Sequence, residues 1–279
     1  MEPTIQYIQK ELKKFYPPEE IRGFIRLIFG HVCQMSYTAQ ILNRKEQLDE
    51  ACKSKIEAIV KRLKTFEPIQ YILGETEFFD LSLKVDSSVL IPRPETEELV
   101  QWIIDSGHPS LSSVLDVGTG SGCIALALKK QFKSAHVTAV DFSEKALNTA
   151  RDNARRNRLN VEFFRADILN WEKRNWEMTS LIVSNPPYIR EEEKKMMNSN
   201  VLEYEPAHAL FVPDTDPLIF YRKIAGLAAQ KLREKGWLYF EINENAGTEM
   251  EDLMKKRGFS NIELKKDIHG KTRMLRAQK

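Results

Sequence analysis

The stretch SSVLDVGTGSGC, residues 112–123, decides the fold. Val114, Leu115 and Val117 form a short apolar run around Asp116, Gly118, Gly120 and Gly122 follow, and Ile124 to Phe132 then has helical spacing. A strand, a glycine turn and a helix in that order open a nucleotide-binding α/β unit. Downstream of it, strand-like and helix-like runs alternate. Strands are expected at 112–117, 136–141, 161–165, 180–184, 236–243, 261–266 and 272–277, with helices at 122–132, 143–158, 216–234 and 246–257. That alternation predicts a seven-stranded, mostly parallel sheet with helices on both faces. No helix fits between the last two strands, and Gly270 lies in a polar turn there, so they predict an antiparallel hairpin at one edge.

Upstream, residues 1–66 read as a small helical bundle. Ile5, Ile8 and Leu12 mark one apolar face, Ile21, Phe24, Ile25, Ile28 and Phe29 a second, and Ile56, Ile59, Val60 and Leu63 a third. Such a bundle serves either as a cap that stabilises the larger domain or as a module that docks a protein substrate. Basic and acidic residues nearly balance over residues 1–78, which argues against a nucleic-acid arm. Residues 67–94 form a linker with a β-hairpin, because Phe79, Leu81, Leu83 and Val85 alternate with polar positions. Within IPRPETE, 91–97, Pro92 and Pro94 stiffen the chain before Glu95, Glu97 and Glu98 open a helix. The stretch is a rigid joint or a wall of the active-site cleft, with Arg93 facing a ligand or an acidic partner. The remaining domain covers 95–279.

Composition excludes several classes. The chain has 279 residues, 42% of them apolar and 29% charged, with a net charge of +2, so it makes no general electrostatic claim on nucleic acid or membrane. Three cysteines, Cys33, Cys52 and Cys123, lie far apart with no CxxC, against a zinc site or a disulfide framework. The five histidines, His31, His108, His136, His208 and His269, have no ligand spacing and are expected to be structural or exposed. No metal is expected. The first residues lack the apolar run of a signal peptide, and nothing is long enough to span a membrane, so the cytoplasm is the expected compartment.

The chemistry gathers at strand ends. Gly118-Thr119-Gly120-Ser121-Gly122 departs from the dinucleotide fingerprint GxGxxG and better suits an adenosine-containing ligand without phosphates. Asp141, closing the second strand, can accept from both ribose hydroxyls; as an alternative it caps the helix that starts near Ser143. Asp167, at the end of the third strand, can reach an adenine amine, with Ile168 beside it as a packing residue for the base. The fourth strand ends in Asn185-Pro186-Pro187-Tyr188. Two prolines fix the backbone and remove two N–H donors, so the Asn185 side-chain oxygen and the Pro186 carbonyl form a pair of acceptors. Two acceptors suit the two donors of an NH2 group, and Tyr188 offers a flat wall for a planar amide or base.

GTGSG, then Asp141, then NPPY resembles the pattern of S-adenosylmethionine-dependent methyltransferases that act on a planar NH2 group. PIQYILG at 68–74, GETEFFD at 74–80, IPRPETE at 91–97, LDVGTGSG at 115–122, VSNPPYI at 183–189 and EPAHAL at 205–210 resemble the signatures of the release factor glutamine N5-methyltransferases, the HemK-like family. The likeness covers the chain from about residue 66 onward. It implies a Rossmann-like methyltransferase sheet, S-adenosyl-L-methionine as donor, S-adenosyl-L-homocysteine as product, and methylation of the glutamine in the Gly-Gly-Gln loop of peptide chain release factors. It also implies that the donor lies across Gly118 to Gly122, that Asp141 holds its ribose, that Asp167 and Ile168 flank its adenine, and that Asn185 to Tyr188 grip the glutamine amide. Phe79 and Arg93 then belong to stretches that flank the catalytic pocket, and the chain is expected to act as a monomer. Glu241-Ile242-Asn243 departs from the Glu-Ile-Gly common in the family, and Ala246 from a frequent glutamine. The rival reading within the class is a nucleic-acid N-methyltransferase acting on adenine N6 or guanine N2, since an exocyclic base amine is also a planar NH2. A nicotinamide oxidoreductase and a non-enzymatic binding module both fit GTGSG together with NPPY less well.

Overall fold

In the computed structural model, which describes residues 1–108 and 111–279, the chain opens with α1 (Glu2–Leu12), α2 (Pro18–Cys33), α3 (Tyr37–Leu42), α4 (Glu50–Leu63) and the short α5 (Ile69–Leu73). Next come β1 (Glu75–Phe78), β2 (Leu81–Lys84), α6 (Pro94–Asp105), β3 (Ser113–Val117), α7 (Cys123–Gln131), β4 (His136–Asp141), α8 (Glu144–Asn157) and β5 (Glu162–Arg165). The remainder is β6 (Thr179–Ser184), β7 (Ile189–Arg190), α9 (Ser199–Tyr204), β8 (Phe211–Val212), α10 (Ile219–Lys231), β9 (Leu232–Glu241), α11 (Gly247–Lys256), β10 (Ser260–Lys266) and β11 (Thr272–Gln278). These elements form two compact units, Met1–Glu75 with Asn198–Tyr204, and Thr76–Met197 with Glu205–Lys279.

In the first unit, local signals set the helix ends. Pro18 stands at the start of α2, where its missing N–H costs nothing, and Glu19 and Glu20 follow in the first turn. Asp49 caps α4 by accepting from the Cys52 N–H at 2.6 Å. The apolar stripes of the three long helices meet in one core, where Ile8, Leu12, Ile28, Ile56 and Leu63 are fully buried. The Tyr204 hydroxyl donates to the Thr65 carbonyl at 2.8 Å, tying α9 to the same unit.

The second unit is built on a sheet of order β10-β11-β9-β6-β3-β4-β5. The five strands from β9 to β5 are parallel, and β11 runs antiparallel to both of its neighbours. The hairpin therefore does lie at an edge, with its second strand on the inside. Side-chain alternation loads both faces. Val114, Leu181, Val183 and Tyr239 join a core with α6 and α7, while Leu115, Val117, Ile182, Leu238 and Phe240 join one with α10 and α11. That two-sided burial explains why the strands read as nearly continuous apolar runs. From β3 the chain crosses to β4 on one side and later to β6 on the other, which opens a crevice at the carboxyl ends of these strands.

Two local expectations are corrected. Phe79 is not a strand residue: Phe79 and Asp80 form the hairpin turn, with φ of 48° and 56°. A two-residue hairpin turn that matches the sheet twist needs such left-handed values. The helix expected to reach residue 234 stops at Lys231, because Leu232 already pairs with Thr179 in the sheet. The irregular start of β9 contains Lys235 at φ 60° and then Gly236, where a Cβ would sit 2.8 Å from the Arg233 carbonyl oxygen and 3.0 Å from that of Ser180. Both obstacles are backbone, so Gly236→Ala should destabilise the protein by about 1–3 kcal/mol, read as a lower denaturant midpoint with an unchanged m-value. No helix among the described residues is long and apolar enough to cross a membrane.

Candidate active site

A cavity of about 350 Å³ lies in the second unit at the crevice beside β3, within the size range of small-molecule sites. Its floor is the turn from β3 to α7. Gly118, Gly120 and Gly122 all take left-handed φ, at 74°, 54° and 84°. A Cβ on Gly118 or Gly120 would meet nothing within 4 Å, so their main chain faces open space; a Cβ on Gly122 would lie 3.1 Å from that of Ala150. The turn bends to this shape because the N–H groups of Gly118 and Thr119 both donate to the Val140 carbonyl at 2.9 Å.

Two carboxylates brace the turn. Asp141 accepts from the Gly120 N–H at 2.9 Å on one oxygen and from the Ser143 N–H at 2.8 Å on the other. It thus joins the glycine turn to the residue that opens α8 and still lines the cavity, while the cap that the alternative reading gave to Asp141 is made by Ser143, whose hydroxyl accepts from the Ala146 N–H at 3.3 Å. Burial holds its carboxyl above the usual range. Asp116 is fully buried beneath the turn, where one oxygen accepts from the Thr119 hydroxyl at 2.6 Å and the Ala125 N–H at 3.2 Å. Its Oδ1, like the Ser121 hydroxyl, is buried with no hydrogen-bond partner among the described residues. Burial pushes the Asp116 carboxyl up to about 7, against the two hydrogen bonds that favour its charge. A carboxyl raised on folding adds stability that is complete below its unfolded value, near 3.8, and is lost as pH rises through about 7. In melts without donor from pH 4.5 to 8, the wild type should lose up to about 3 kcal/mol more stability than Asp116→Asn, whose amide keeps the accepting oxygen.

Asp167 and Ile168 also line the cavity. Asp167 caps the short 3₁₀ turn that follows it, accepting from the Leu169 N–H at 3.0 Å and the Asn170 side chain at 2.6 Å. Arg93 lines the wall and is held by Glu205, whose buried carboxylate takes one Nη2 bond at 2.5 Å and the Ile91 N–H at 3.3 Å. The acidic partner foreseen for Arg93 thus belongs to the chain itself.

Asn185, Pro186 and Pro187 reach the cavity from the end of β6. The Asn185 Nδ2 donates to the Thr96 hydroxyl at 3.1 Å, Thr96 donates to Glu241 Oε2 at 2.7 Å, and the Tyr188 hydroxyl donates to Glu241 Oε1 at 3.0 Å. Glu241 and Thr96 are buried, and burial raises the Glu241 carboxyl. The structure does not bring every expected residue to the cavity. Tyr188 lies outside the lining, with its ring against the α10 side of the core and its hydroxyl engaged by Glu241. Phe79 is also outside the lining; its N–H donates to Glu97 at 2.8 Å and its ring packs on the opposite core. Conversely, His208, exposed as expected of a histidine without ligand spacing, lines the cavity, as do Thr96 and Ser88 to Leu90. EPAHAL and IPRPETE contain His208, Glu205 and Thr96, but spacing alone does not say which of their side chains turn inward. Cys123 also lines the cavity, but burial pushes its thiol up to about 12, which makes it inert. Among the described residues, no group of three or more His, Cys, Asp or Glu could hold a metal ion.

Similarity to known proteins follows the same division of the chain. Residues 4–74 match the PrmC N-terminal domain, and residues 96–210 match the methyltransferase small domain. A release factor glutamine methyltransferase of Flavobacterium psychrophilum is 46% identical over 275 residues, covering 97% of this chain and 96% of that one. A protein of the same name from Bacteroides thetaiotaomicron is 44% identical, covering 98% of both chains. The chain belongs to the release factor glutamine methyltransferase family. Among solved structures, a methyltransferase from Pyrococcus furiosus superposes with a TM-score of 0.54 at 19% identity, over 81% of this chain and 98% of that one, a likeness of fold. The family assignment matches the sequence resemblance and extends it through the helical N-terminal residues, which the motifs alone left open.

Proposed function

We propose that this enzyme transfers a methyl group from S-adenosyl-L-methionine to the side-chain amide nitrogen of the glutamine in the Gly-Gly-Gln loop of a peptide chain release factor. The observation that carries the reading is end-to-end similarity to release factor glutamine methyltransferases, at 46% and 44% identity. The Asn185 corner alone would also suit an exocyclic base amine. The near balance of charge over residues 1–78 adds nothing in favour of nucleic acid.

The cavity fits the donor. The open main chain at Gly118 and Gly120 accepts close approach, and the unpartnered Asp116 Oδ1 and Ser121 hydroxyl lie beneath it. Asp141 would hold the ribose hydroxyls with its remaining lone pairs, Asp167 would meet the adenine amine, and Ile168 would pack against the base. Arg93, steadied by Glu205, would line the approach of the substrate. When bound, S-adenosyl-L-methionine supplies a methyl group activated on a sulfonium. Asn185 Oδ1 and the Pro186 carbonyl would each accept one N–H of the glutamine amide, aiming its nitrogen and favouring the positive charge that develops there. Pro187 keeps that backbone free of a competing donor. Tyr188 supports the corner from behind rather than as a wall. The nitrogen, once methylated, is a strong acid and sheds its proton without a base in the Asn185–Tyr188 run. The helical unit would dock the release factor.

The test is incubation with methyl-labelled donor and purified release factors, with duplex DNA and ribosomal RNA in parallel, and mass mapping of the labelled residue. Label on the Gly-Gly-Gln glutamine is expected; label on nucleic acid alone would overturn the reading.

A further inference from the structure

We propose that Thr96 and Glu241 are positioning residues that fix which end of the Asn185 side chain meets the substrate, an inference that rests on the reading of Asn185 as the acceptor of the glutamine amide. A side-chain amide is nearly symmetric in shape, and its two ends have opposite hydrogen-bonding character. Flipped by half a turn, Asn185 would present NH2 to NH2 and repel the group it has to grip. Something must hold it the right way round before substrate arrives.

The buried chain of hydrogen bonds does so by counting protons. Both oxygens of Glu241 act as acceptors, Oε1 for the Tyr188 hydroxyl and Oε2 for the Thr96 hydroxyl. Thr96 has one hydroxyl proton, and it is spent on Glu241 at 2.7 Å. Toward Asn185, Thr96 can therefore offer only lone pairs. Asn185 answers with Nδ2 at 3.1 Å, which leaves Oδ1 as the edge available to the cavity that Asn185 lines. Glu241 and Thr96 are 1% and 2% exposed, so water does not compete for the bond between them. Neither residue has to touch the reacting atoms: Glu241 sets the direction of the Thr96 hydroxyl, and Thr96 sets the direction of the amide.

The experiment compares Thr96→Val, which keeps the shape and deletes the hydroxyl, with Thr96→Ser, which keeps the hydroxyl. Thr96→Val should lower kcat roughly tenfold, the weight of one buried hydrogen bond, with the donor Kd unchanged, and Thr96→Ser should restore most of the loss. In an Asn185→Ala background, adding Thr96→Val should change kcat by less than about twofold, because the residue it orients is gone. A Thr96→Val enzyme within twofold of wild type, or losses that multiply in the double variant, would overturn the proposal. A readout independent of catalysis is solvent exchange of the Asn185 side-chain NH2 protons in selectively ¹⁵N-Asn-labelled free protein, with the signal assigned by its loss in Asn185→Ala. In wild type they should exchange far more slowly than those of the exposed Asn160; equal rates would overturn the proposal even if Thr96→Val does not fold. A wild type that leaves release factor unmethylated while these protons stay protected would instead count against the proposed substrate.

Discussion

Replacing Asn185 with alanine should lower kcat for methylation of release factor by roughly 10²–10³-fold, the range measured when one preorganised polar group is removed from a reacting centre. The substitution deletes one of two acceptors that would hold the amide nitrogen on its line of attack. The floor of the cavity stays intact, because the glycine turn is shaped by Val140 and Asp141 and not by Asn185. Donor affinity should therefore stay within about threefold, since a loss confined to kcat marks an interaction made only on the way to the transition state. Single-turnover transfer and calorimetry on the same preparation separate the two quantities. Full turnover, or equal losses in turnover and donor affinity, would remove Asn185 from its assigned role.

Asp141→Ala is expected to act in the opposite way, weakening the donor by about 10²-fold with a smaller change in turnover once donor is saturating. Two hydrogen bonds from ribose hydroxyls to a charged carboxylate are worth about that much. The same substitution leaves the N–H groups of Gly120 and Ser143 without their acceptor, so the glycine turn loosens and the melting temperature should fall as well. Asp141→Asn keeps one accepting oxygen and should fall between the two. Calorimetry on the three proteins reads the series; a normal Kd for Asp141→Ala would place the ribose elsewhere.

What the sequence made legible follows from how its residues are used. The sheet could be read because both faces of its strands are buried, so apolar runs such as Val114 to Val117 and Leu181 to Val183 stand out from the helices between them. The glycine turn could be read because three positions with left-handed φ call for glycine. The hairpin turn at Phe79 and Asp80 could not, since its first residue is a bulky Phe, a type that rarely takes a left-handed conformation. The early end of α10 was hidden as well, because what stops it is the pairing of Leu232 with Thr179. At the site, the strand-end residues were visible as motifs, but the support behind them was not. Thr96 and Glu241 are 145 positions apart, and no spacing rule joins them. The same holds for Arg93 and Glu205, 112 positions apart, whose pairing depends on the folded wall of the cavity.

The placement of β11 between β9 and β10 has a consequence for how the protein fails. Until β11 arrives, β9 offers a bare row of backbone donors and acceptors flanked by Leu238 and Phe240, a ready template for strands of other molecules. Lesions in the turn around Gly270 would therefore show as precipitation during refolding.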